Sequence, residues 1–155
     1  MDFRIKGLPA APFAPLSSLT DAELGARSIQ RVRIDAPHSA PDRITLRDAE
    51  PGESVLLLNY EHQDAASPYR SRHAIYIIEG EQRTFDEVNT VPDALRRRVL
   101  SLRAFDEAGM MVDADLVEGR EAEKLIARLL ANPQAAYVHA HYARRGCYAA
   151  RIERA

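Results

Sequence analysis

Residues 54–80, SVLLLNYEHQDAASPYRSRHAIYIIEG, constrain the fold more than any other stretch. Val55 to Leu58 is a continuous apolar run, which predicts a strand buried on both faces or central in its sheet. The following residues, 62–72, are polar and include Pro68, so they predict a loop. Residues 73–78 (HAIYII) are β-branched and aromatic, and predict the strand that returns. The loop between them exceeds the usual two to five hairpin residues, and loops of that kind often carry function.

Shorter signals surround this hairpin. Phe3 and Ile5 alternate with Arg4 and Lys6, and Val32 and Ile34 alternate with Arg31, Arg33 and Asp35; each pattern predicts a strand with one wet face. Ile44 and Leu46 read as a brief extended piece, and residues 79–89 as irregular. Thr20-Asp21-Ala22-Glu23 is a capping box that opens a helix over 20–27. Ala122, Leu125, Ile126, Leu129 and Leu130 repeat at helical spacing ahead of Pro133, predicting a helix over 119–132. Pro92 suits the start of a third, short helix.

Two more hairpins close the chain. Residues 99–105 and 110–117 flank Asp106-Glu107-Ala108-Gly109, the pattern of a three-residue loop with a left-handed glycine. In that register Asp106 pairs with Met110, and Arg103 stands opposite Asp113 as an ion pair. Residues 136–142 and 147–153 form the last pair. Strands outnumber helices and do not alternate with them. The fold class is therefore α+β: a single domain over residues 1–155, with a curved, mainly antiparallel sheet and two or three short helices packed on it.

Charge and cysteine usage remove several function classes. The 21 basic and 23 acidic residues give a net charge of −2, which argues against a nucleic-acid partner. Arg96-Arg97-Arg98, the one dense basic cluster, reads as a solvated helix end rather than a phosphate site. Cys147 is the single cysteine, so no intrachain disulfide forms. The opening MDFRIKGLP is charged at positions 2, 4 and 6, unlike a signal peptide, and no run approaches the ~20 apolar residues of a membrane span. The expectation is a soluble cytoplasmic protein with no membrane partner. PGESV lacks the lysine of a phosphate loop, and no G-x-S-x-G elbow is present.

The terminal hairpin holds the most informative polar residues. On a strand, Tyr137, His139 and His141 share one face. If Ala143 pairs with Cys147, then Cys147 falls on that face too, diagonal to His141 at about 7–8 Å. Three readings of this face stay open. His139 and His141 can bind a divalent metal with a third ligand from His73, His62 or Asp113; His73 is taken as that ligand. Alternatively Cys147 is a nucleophile activated by an imidazole, or the face is structural. At the loop of residues 62–72, Asn59, His62, Tyr69 and Arg70 are candidate ligand-binding residues, with Arg70 or Arg72 able to clamp an anion. Asp113 and Asp115 project together and can hold a hard cation or pair with arginines.

LLLNYEHQ, SPYRSRHAIY, RAFDEAGMMVDADLVEG and YVHAHYARRGCYAARI, in this order, resemble the bacterial domain of unknown function family 1203. The resemblance runs from residue 2 to the end and implies a single-domain protein without implying an activity. It also implies a cysteine before the arginine that matches Arg43, where this chain has Asp42, and an asparagine where it has Tyr142. A cysteine-dependent role would then rest on Cys147. The reading that combines these signals is a small-molecule or metal-binding domain, whether enzymatic or not, using His139, His141 and Cys147. Its rival is a non-catalytic homodimer module using a sheet edge or the apolar Met110-Met111 region.

Overall fold

The computed structural model describes residues 1–155. Nine strands run in chain order: β1 (Phe3–Lys6), β2 (Gln30–Arg33), β3 (Ser54–Gln63), β4 (Ser71–Ile78), β5 (Asp86–Val88), β6 (Val99–Phe105), β7 (Met111–Glu118), β8 (Tyr137–Tyr142) and β9 (Tyr148–Arg154). Three α-helices accompany them: α1 (Asp21–Gly25), α2 (Asp93–Arg96) and α3 (Ala122–Leu130). The α+β class with antiparallel pairing holds, but the strands divide between two sheets instead of one. The larger has the order β5-β1-β9-β8-β6-β7 and the smaller β2-β3-β4.

The apolar run of β3 lies where its composition demands, in the centre of the smaller sheet between β2 and β4. The loop of that hairpin is shorter than expected, because β3 continues to Gln63 and β4 begins at Ser71. Thr20 caps α1 with both halves of the capping box formed. Residues 86–88, expected to be irregular, form an edge strand against β1. The extended piece expected at Ile44 and Leu46 is instead a turn, with Leu46 at φ 55°. The Asp42 carboxylate causes it, accepting from the amide and the hydroxyl of Thr45.

The two faces of the larger sheet bury different things. Helix α3 covers one face, where Leu125, Ile126 and Leu129 meet Leu100, Leu102, Val138, Ala140 and Ile152. The smaller sheet contributes Leu56, Leu58, Ile75 and Ile77 to a second core that includes Tyr148 of β9. Residues of β8 therefore alternate between the two cores, and all six are buried.

The end of β7 presses tightly on α2. A Cβ added at Gly119 would lie 2.0 Å from the Leu95 carbonyl oxygen and 2.7 Å from that of Arg98. Both are backbone atoms and cannot swing away. Gly119→Ala should therefore cost about 1–3 kcal/mol by overpacking, read as a fall in the urea midpoint with an unchanged slope.

Candidate metal centre

Three β-bulges decide which side chains meet. In β8–β9 the register shifts between Ala140 and His141, so that His141 pairs with Tyr148 and not with Ala149. This one-residue slip exchanges the two faces for the start of β9. Tyr148 joins the histidine face, and Cys147 turns to the other core beside Tyr142, whose amide donates to the Cys147 carbonyl at 2.9 Å. The expectation that Cys147 shares a face with His139 and His141 is thereby corrected.

A second bulge, in β6–β7, moves Arg103. It pairs in register with Ala114 on one side and His139 on the other, so the expected ion pair with Asp113 does not form. Asp113 and Asp115 instead accept from Arg128 of α3 at 3.0 and 3.1 Å, which occupies the pair expected to suit a hard cation. The Arg103 Nε donates only to the Ser101 hydroxyl, at 3.2 Å. This half-buried guanidinium has no carboxylate partner.

The third bulge lies between Glu61 and Gln63 and falls on His62. His62 reaches across from the smaller sheet to the imidazoles of β8. One ligating atom from each of His62, His139 and His141 lies within 4.8 Å of the others. The His62 ring meets His141 edge-on at 5.0 Å between centroids and stacks on Tyr148 at 5.4 Å. Tyr148 also meets the edges of His139 and His141, so it forms one wall of the group. Phe105 and Tyr137 pack their rings against His139, at 5.3 and 5.0 Å between centroids.

His73, taken from the sequence as the third ligand, stands outside this group. It pairs with Tyr60 across the hairpin, and its Nδ1 lies 3.1 Å from the Ala74 carbonyl. It does add repulsion that disfavours protonation of His62 and His141.

The three imidazoles are held neutral. Burial pushes His62 down to about 4, His141 to about 3 and His139 to about 2, and repulsion by the Arg103 charge adds to each shift. Neutral imidazole is the form that binds metals. The Gly146 carbonyl accepts from His141 Nδ1 at 2.9 Å. A carbonyl can only accept, so the proton is on Nδ1 and the lone pair is on Nε2, facing the group. The Nδ1 atoms of His62 and His139 are buried without any hydrogen-bond partner. Two such orphans in one group are unusual, because buried polar atoms are nearly always paired.

The other sequence-derived candidates lie apart from this centre. Asn59 is exposed and accepts from Arg72 Nε at 2.6 Å. Arg70 donates to Glu61 with Nε at 2.8 Å in an exposed ion pair. Tyr69 rests its ring edge on Phe105 at the rim. Met110 is exposed in the β6–β7 turn, and Leu116 is more exposed on the same edge strand. Sequence reasoning gave Arg103 to Asp113 and did not place Tyr148 beside the histidines. The first needed the β6–β8 pairing and the second the β8–β9 bulge, and neither has a local signal in the sequence.

No helix is long and apolar enough to cross a membrane. No curated protein and no solved structure matches the chain. One family does, described as a protein of unknown function (DUF1203), and it matches residues 39–154. That span includes every residue of the imidazole group and its walls, and on it the chain belongs to the DUF1203 family.

Proposed function

We propose that the protein is a metal-binding domain in which His62, His139 and His141 hold one divalent transition ion. The observation that carries this reading is the convergence of three neutral imidazoles, two with orphaned buried nitrogens, and no carboxylate among them. Imidazole donors suit zinc, iron, copper and nickel, whereas calcium and magnesium require oxygen. Three protein ligands leave a position open, which is the arrangement of reactive rather than structural zinc sites. Nitrogens bound at about 2.0–2.1 Å stand roughly 3.3 Å apart around a tetrahedral ion, so the group must draw inward.

Arg103 shapes what the open position accepts. A guanidinium without a counterion beside a dication is repulsive unless an anion lies between them. The pair therefore favours an anionic fourth ligand, such as hydroxide or the carboxylate of a small molecule. An ion there would supply Lewis acidity and lower the pKa of bound water. The chain's own part is to keep the imidazoles deprotonated, fix the His141 tautomer through Gly146, and hold the ligand's negative charge with Arg103.

Elemental analysis of protein purified without chelator should find about one transition ion per chain, by the ligand count of one such site. Chelated protein should take up one equivalent of cobalt(II) with the visible absorption of a tetrahedral nitrogen site. His139→Gln should abolish the uptake. Absence of uptake by the wild type, or equal uptake by the variant, would overturn the reading.

A further inference from the structure

The molecule has a second polar feature, on the opposite side of β8. A cleft of about 710 Å³ opens between the β8–β9 turn, the end of α2 and the segment before Arg43. Five arginines line it, Arg43, Arg97, Arg98, Arg144 and Arg145, against one carboxylate, Glu118. The chain as a whole carries a net charge of −2, so this concentration of one sign runs against its composition.

The charges are not used up within the fold. Arg98 is paired with Asp48 at 2.6 Å. The fully buried Arg43 donates to neutral acceptors, the carbonyls of Tyr148 and Pro41, so its charge is uncompensated. Arg97, Arg144 and Arg145 are exposed and make no side-chain hydrogen bond or ion pair. Between these charges lies Tyr142, with the guanidinium carbons of Arg43 and Arg98 at 5.0 and 5.1 Å from its ring centre. Its hydroxyl is buried and has no partner.

We infer that this cleft binds a small organic anion through a phosphate group. Burying Arg43 without a counter-charge is costly, and three more guanidiniums at the mouth repel one another. A dianionic group relieves both costs. Guanidinium forks match its oxygens in pairs, which a lysine cluster would not. The volume falls in the range of sites for metabolite-sized ligands, and Tyr76 and Tyr142 supply aromatic surface for the rest of the molecule. The orphaned Tyr142 hydroxyl marks where a ligand oxygen or its bound water completes the floor.

The site does not depend on the metal reading, since Tyr142 and His141 project to opposite faces of β8. Isothermal titration of chelated protein with pyrophosphate and inorganic phosphate tests it. Pyrophosphate should bind with one-to-one stoichiometry. Arg97→Gln and Arg144→Gln should each weaken it about tenfold or more, the loss of a charge-assisted contact. Tyr142→Phe should weaken it while leaving the urea midpoint unchanged or higher. Arg83→Gln, which removes an exposed charge elsewhere, should change nothing. Equal weakening by Arg83→Gln, or no saturable binding, would overturn the inference. Tighter binding of a duplex oligonucleotide lost in the same variants would also overturn it, in favour of a nucleic-acid surface.

Discussion

Zinc supplied at a hundredfold excess over its dissociation constant should raise the unfolding midpoint of the chelated protein by about 5–11 °C. Binding to the native state alone adds ~2.7 kcal/mol at that ratio, and a chain of this size gains roughly 2–4 °C per kcal/mol. His62→Ala should remove the shift. That variant is the informative one because the His62 ring is half-exposed and sits at the outer side of the group, so its loss leaves a smaller cavity than loss of His139. The metal-free midpoint of the variant should therefore stay within a few degrees of the wild type. His73→Ala should retain the shift, since His73 is outside the group. Equal shifts in wild type and His62→Ala would place the ion elsewhere on the chain. Calcium should produce no shift in either protein, because the centre offers no oxygen donors.

The contrast between His62 and His73 shows what was legible in the sequence. The alternation in β8 placed His139 and His141 on one face, and that face is the centre. Local periodicity of this kind survives folding because the strand imposes it. The third imidazole comes from the other sheet, and no local pattern says which residue of β3 or β4 will be opposite β8. The element types at β3, β4, α1 and α3 were equally legible, being set by apolar runs, a capping box and helical spacing. The partners across strands were not. A single extra residue at Ala149 exchanged Cys147 for Tyr148, and another in β7 released Arg103 from Asp113. A register shift of one reverses every face beyond it, so a hairpin read without its bulges gives correct strands and wrong neighbours. That error mattered most at the site, where it replaced a thiol with an aromatic wall and hid an unpaired arginine.

The same buried imidazoles should make the metal-free protein unusually sensitive to mild acid. His139 and His141 are almost fully buried and are lowered to about 2 and about 3, from an ordinary value near 6.5. Below pH 6.5 the unfolded chain takes up a proton at each of these positions and the folded chain does not. The unfolded state then binds more protons, so stability falls as pH falls, from about 6.5 down toward the folded values. Each such group costs about 1.4 kcal/mol per pH unit, so the two together remove up to about 4 kcal/mol between pH 6.5 and 5. That is a large share of the 5–15 kcal/mol of a typical domain. The charges facing the pair act in the same direction: Arg103 from β6, Arg151 from β9, and His62 and His73 from the smaller sheet if they protonate. Carboxylates contribute in a lower window. Glu53, held at about 2 chiefly by Arg47, loses its contribution only below its ordinary 4.5. Urea unfolding at pH 7, 6 and 5 therefore isolates the histidines. His139→Gln, which keeps the polar shape without titrating, should reduce the slope by about 1.4 kcal/mol per pH unit, and an unchanged slope would mean that His139 is already protonated in the fold. Bound zinc should raise stability without changing the slope over this interval, because the folded imidazoles are already deprotonated there and the protons taken up by the unfolded chain set the slope.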